Sequence, residues 1–181
     1  MTAIVPAPWF PWAGDGIKTD SGVRRPILLM KVVDQFRVET TSRYQPKDGQ
    51  TFCNIYLWDV TRALGAEIPH WIEVGDMEGG TPVRHELNIN HTIQRLEAGL
   101  VEGWSECTAE HARAASNLGC PTVATWLNSS GPHGHVAVCL PSTTGEEQQV
   151  SQAGSVCFSQ GGISRAFGPD KLPAVRWWTH A

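Results

Sequence analysis

No run in this 181-residue chain approaches the roughly 20 consecutive apolar residues that a membrane-spanning helix requires, so no membrane span is expected. The stretch from Met1 to Gly16 also lacks the basic and apolar segments of a secretory signal, and synthesis in the cytoplasm without one is the expectation. Clustered positive charge is missing as well. The 14 Lys and Arg are dispersed and outnumbered by 18 Asp and Glu, for a formal charge of -4, which leaves no electrostatic footprint for nucleic acid. Paired cysteines are absent. Cys53, Cys107, Cys120, Cys139 and Cys157 form an odd set without CxxC spacing, which argues against a disulfide framework or a structural zinc knuckle and leaves at least one free thiol. There is no internal repeat and no low-complexity tract.

What is present is globular: 41% apolar and 18% charged residues, with 18 Gly and 12 Pro pointing to many turns. The length suits one domain over residues 1–181. Residues 1–16 read as a Pro/Trp-rich arm, pinned to the body by Trp9, Phe10 and Trp12. After Pro26, the apolar spacing of Leu29, Val32, Val33 and Phe36 predicts a helix. A second helix is expected from a Thr51 cap through Leu64 to a stop at Gly65, with Cys53, Leu57, Val60 and Leu64 on one face. Ala66 to His85 reads as an irregular surface excursion. Asn90 is a candidate cap for a helix carrying Ile93, Leu96 and Leu100, and Thr108 for one carrying Ala112, Ala115 and Leu118, stopped by Gly119 and Pro121. From Thr122 the pattern turns to strands: TVATWLN, HVAVCL, QQVSQAG and AVRWW. Helices followed by antiparallel strands define an α+β order.

Cys53 falls in the first turn of the second helix, where unpaired N–H groups and the macrodipole favour a thiolate. Its own N–H there can face an oxyanion. The plain alternative is a small core residue on an amphipathic helix. A thiol nucleophile needs a base, and His135 opens an apolar strand whose alternation sends His135, Ala137 and Cys139 to one face. The alternative is a strand-end histidine bonded to a loop carbonyl. Gln152, on the next strand, is the candidate for orienting the imidazole through its amide oxygen, while Glu146 and Glu147 read as solvated turn residues. Asp59, six residues beyond Cys53, falls off the Cys53 face and reads as structural.

The stretch TFCNIYLWDVTRALG, followed by GHVAVCLP and then by SQAG, resembles the papain-like amidases and endopeptidases of bacterial and phage cell-wall metabolism, the NlpC-type and CHAP families. The resemblance spans roughly residues 43–154, and Leu87–Trp104 reads as an insertion relative to minimal members. It departs from those families at the third position, where an amide stands in place of a second His or a Glu–Asn pair. It implies a papain-like fold, with N-terminal helices including the nucleophile helix packed on a C-terminal antiparallel sheet. It further implies Cys53 as nucleophile, His135 as base and Gln152 as third polar group. The expected activity is hydrolysis of a peptidoglycan amide bond through a thioester acyl-enzyme, with no cofactor and no metal. Tyr44, on the loop before the nucleophile, is a candidate oxyanion donor, and Asn54 a candidate for lining the cleft. Trp58, Trp71, Trp104 and Trp126 could wall a groove for the peptidoglycan peptide substrate, or simply pack. Action on the wall in the periplasm or outside the cell would then need a holin or a secretion system for delivery, and an immunity protein is a possible partner.

Two other readings stay open. A zinc-dependent cell-wall peptidase would use the His133-Gly-His135 pair, with His85 and His91 as candidate further ligands. A non-catalytic, Trp-rich wall-binding module would need neither the thiol nor the imidazole.

Overall fold

The computed structural model of the protein describes residues 10–20, 22–74, 83–142 and 147–180. Trp9 and Glu146 lie outside them. The first helix, α1 (Pro26–Gln35), begins with a proline whose fixed φ suits the opening turn, and it buries Leu29, Val32 and Val33. The second, α2 (Cys53–Ala63), turns out of its last residue at Gly65, where φ is +64° and an added Cβ would lie 2.8 Å from the Thr19 carbonyl oxygen. Thr51 does not cap it; Phe52 occupies the N-cap, and no side chain bonds the first-turn N–H groups.

The expected irregular excursion is only partly so. Ala66, Ile68 and His70 are buried, and β1 (Trp71–Val74) pairs antiparallel with β2 (Val83–Glu86). The cap of α3 (Ile89–Glu97) is Asn88, whose side chain accepts from the His91 N–H at 3.0 Å, and not Asn90. Leu100 lies beyond that helix and is exposed. After β3 (Trp104–Cys107), α4 (Ala109–Leu118) is capped by Thr108 and ends at Gly119 with φ +87°. Leu118 is exposed, because the buried stripe consists of Ala112, Ala115 and Ser116.

The strands β4 (Thr122–Trp126), β5 (His135–Leu140), β6 (Gln149–Gln152), β7 (Phe158–Gly162) and β8 (Arg176–His180) join β3 in a six-stranded antiparallel sheet ordered β3-β8-β4-β5-β6-β7. Between β7 and β8 come α5 (Ile163–Phe167) and a short 3-10 turn, Leu172–Ala174. The protein is therefore α+β, with five helices and this sheet among the described residues. None of the helices is long and apolar enough to cross a membrane.

Register decides what each sheet face meets. Val123, Val136, Val138, Leu140 and Trp178 face α1, α2 and α3, whereas Ala124, Ala137, Cys139 and Val150 face α5 with Ile163 and Phe167. Each fully buried Val or Leu on these faces contributes about 1.5–3 kcal/mol. α4 lies against β8, β5 and β4.

Asp59 is fully buried on α2 and ties that helix to two other segments. Its carboxylate accepts from the Trp12 backbone N–H at 2.7 Å, from Arg43 Nε at 2.7 Å and from the Tyr44 hydroxyl at 2.8 Å. Arg43 also donates to the Phe10 carbonyl at 2.5 Å, and Trp12 packs on Phe36 and Tyr44, so the arm is pinned by Trp12 and by backbone while the Phe10 ring is exposed. Removing one partner of a buried ion pair strands the other charge. Arg43→Met is expected to lower unfolding free energy by about 3–5 kcal/mol in a denaturant titration. A loss below about 1 kcal/mol would mean that the Trp12 and Tyr44 bonds suffice.

Candidate active site

The loop from β4 into β5 is clamped by α3. Asn90 Nδ2 donates to the carbonyls of Asn128 (3.0 Å) and Gly131 (2.8 Å), and its Oδ1 accepts from the Asn128 N–H at 3.2 Å. Gly134 is then a steric necessity, since an added Cβ would sit 2.4 Å from the Trp126 carbonyl oxygen and 2.5 Å from Asn90 Oδ1. The segment taken from the sequence as an insertion thus positions the residue that follows, His135.

Within the sheet His135 stands opposite Trp126, on the face of Ala137 and Cys139, and its ring meets Phe167 edge-on with centroids 5.1 Å apart. Its Nε2 lies 2.5 Å from Gln152 Oε1. The Gln152 amide is oriented by its own Nε2, which donates to the Val156 carbonyl at 2.9 Å. The oxygen facing His135 can only accept, so ring Nε2 carries the proton and Nδ1 is left with the lone pair. Burial holds the imidazole below its ordinary pKa, and the Lys171 charge pushes in the same direction against the Gln152 bond. The ring is neutral at pH 7.

Cys53 lies on the other side of β5. It packs with Leu57 and Val136 in the cluster between α2, α3 and the sheet, and it is 5% exposed. β6 pairs with β5 only from Val138 onward, so the first residues of β5 have no β6 partner. Cys53 comes against that open stretch, where the N–H groups of Val136, Asn54 and Cys53 itself favour the sulfur anion. Desolvation outweighs them, and the thiol is pushed up to about 11 rather than activated as the helix position suggested. No hydrogen bond joins the sulfur to the His135 ring; the link between them is the Val136 backbone.

A cavity of about 210 Å³ opens beside the imidazole, walled by Thr51, Trp126, His135, Gln152, Phe167 and Lys171 among others. Of the four tryptophans considered for a groove, Trp126 lines it. Trp58 stacks on His70 and donates to Glu67, and Trp104 donates to the Ala66 carbonyl from a buried position. Trp71 meets the His70 ring edge-on.

Two sequence-based candidates are corrected. Tyr44 is no oxyanion donor, because its hydroxyl is buried and given to Asp59. Asn54 turns away from the cavity, with Nδ2 bonded to the Leu87 carbonyl at 3.1 Å and near His70 Nδ1 at 3.4 Å. Glu147 is not merely solvated either; its Oε2 accepts from the Ser164 N–H. Sequence reasoning missed the Val136 N–H, which its place after His135 could have suggested, and Phe167 and Lys171, which no local pattern marks. Among the described residues, no group of three or more His, Cys, Asp and Glu is placed to hold a metal ion. No protein-family model matches the sequence, and no curated protein matches it.

A thiol with its pKa near 11 alkylates through a minor thiolate population. Labelling of Cys53 by iodoacetamide, followed by peptide mass spectrometry, is expected to be slow at neutral pH and to rise about tenfold per pH unit toward pH 11. A rate already level at about pH 8 would mean that the resting sulfur is a thiolate.

Proposed function

We propose that this chain is a papain-like cysteine hydrolase that cleaves an amide bond in peptidoglycan through a thioester acyl-enzyme. The observation that carries the reading is the meeting of a helix-start thiol, with three N–H groups favouring its anion, and a strand that opens on a histidine whose tautomer is set by Gln152. Such a trio can perform acyl transfer. The wall substrate, and delivery by a holin or a secretion system, follow from the resemblance of TFCNIYLWDVTRALG, GHVAVCLP and SQAG to the NlpC-type and CHAP families.

The resting site is a neutral pair, so the thiol proton has to move during attack. Nδ1 of His135 accepts it as the Cys53 sulfur adds to the substrate carbonyl carbon, and the oxyanion formed faces the N–H groups that favoured the thiolate. The imidazolium then gives its proton to the amine nitrogen as the C–N bond breaks. Water, deprotonated by the same ring, cleaves the thioester and restores the thiol. Because Cys53 packs with Val136 while His135 points to the opposite face of β5, the first step requires the start of β5 and of α2 to rearrange with substrate so that sulfur and Nδ1 meet.

Mass spectrometry of muropeptides after incubation of purified sacculi tests bond and nucleophile together. Wild-type protein is expected to release a defined new amine and acid terminus, with Cys53→Ala and His135→Ala inactive. Gln152→Ala should lower kcat about 10- to 100-fold by freeing the tautomer, and Gln152→Glu should recover part of it. Because burial depresses the His135 pKa, the acid limb of kcat/KM is expected below pH 6.5. Full activity of Cys53→Ala would end the proposal.

A further inference from the structure

We infer that Lys171 makes the cavity beside His135 a receptor for a carboxylate on the peptide substrate. The walls contain no acidic residue, and the adjacent Asp170 is not among them. Gln152 is already committed to His135 and Val156, and the imidazole is neutral. Lys171 is left as the one cationic wall, and among the described residues its ammonium enters no ion pair.

The position of that charge is set by the fold. The Lys171 N–H donates to the Gly168 carbonyl at 3.3 Å and its carbonyl accepts from Ala174 at 2.9 Å, holding the backbone in the turn after α5. The ammonium lies 5.2 Å from the centre of the Trp126 ring, a cation–π contact that directs it over the cavity, and its field reaches His135. A lone ammonium over the Trp126 ring, in a cavity that Phe167 also walls, suits a singly charged carboxylate on a compact residue; a dianionic phosphate would call for several donors. The volume, about 210 Å³, fits one amino-acid residue and not a sugar chain. The inference rests on the amidase reading for the kind of molecule bound, whereas the charge of the cavity stands apart from it.

The probes are the N-acetylated tetrapeptide L-Ala-γ-D-Glu-L-Lys-D-Ala with its carboxylates free and the same peptide with every carboxylate amidated. Calorimetric titration into Cys53→Ala is expected to give about tenfold tighter binding of the free acid, the scale of one charge-assisted contact. Adding Lys171→Gln should bring the ratio close to one, and Lys171→Arg should restore most of it. In hydrolysis by otherwise wild-type protein, the loss in Lys171→Gln should fall on KM and not on kcat. Equal affinity for the two peptides, no binding of the free acid, or a preference that survives Lys171→Gln would overturn the inference. Selective binding without cleavage by the wild type would uphold the carboxylate receptor and sink the hydrolase reading; cleavage with no preference for the free acid would do the reverse.

Discussion

The buried carboxylate of Asp59 is the constraint on which the remaining architecture turns. It sits on α2, six residues beyond Cys53, and satisfies donors from the arm at Trp12 and from the turn at Arg43 and Tyr44. A charge out of water is tolerable only when paired and hydrogen-bonded, so the three segments cannot shift independently. The helix that presents the thiol is thereby fixed at one side, while the Tyr56 hydroxyl, 2.6 Å from Ser151 Oγ, fixes it to β6. The same network explains why Tyr44 has no role at the cavity: its hydroxyl has one proton, and Asp59 takes it.

Strand parity governs how sulfur and imidazole are related. Val136 points toward α2 and His135 toward α5, so a helix residue reaches the histidine strand through its backbone and not through its ring. The early departure of β6 makes this possible, since the first residues of β5 are free of a partner on that side. Electrostatically the result is two uncharged groups, a thiol raised by burial and an imidazole lowered by it. An ion pair at rest would require both shifts to run the other way.

Much of this order was legible in the amino-acid pattern. The stripe of Leu29, Val32 and Val33 announced α1, Gly65 and Gly119 marked helix ends by their left-handed backbone, and alternation from His135 set the two faces of β5. The α+β class followed from helices preceding strands. What escaped notice depends on distant partners. Asn90 and Asn88 are the same residue type near one helix start, and only the nearby loop at residues 128–131 makes Asn90 a clamp and leaves Asn88 as the cap. Thr51 has cap chemistry yet borders the cavity. β3 and β7, WSEC and FSQGG, are too short and too polar to declare themselves, and they become strands by pairing with β8 and β6. The acidity of Cys53 was misjudged for a related reason: a helix start is visible in sequence, whereas the Leu57 and Val136 packing that dehydrates the sulfur is not.

The Cys53 thiol is both hidden and protonated, and this bears on its resistance to oxidation. Peroxide and disulfide exchange act on exposed thiolates, and the first oxidised product of a cysteine, the sulfenic acid, forms only where the anion can be approached. A sulfur 5% exposed, with a pKa near 11, offers neither access nor anion. The fold therefore keeps Cys53 in an oxidant-resistant form at rest.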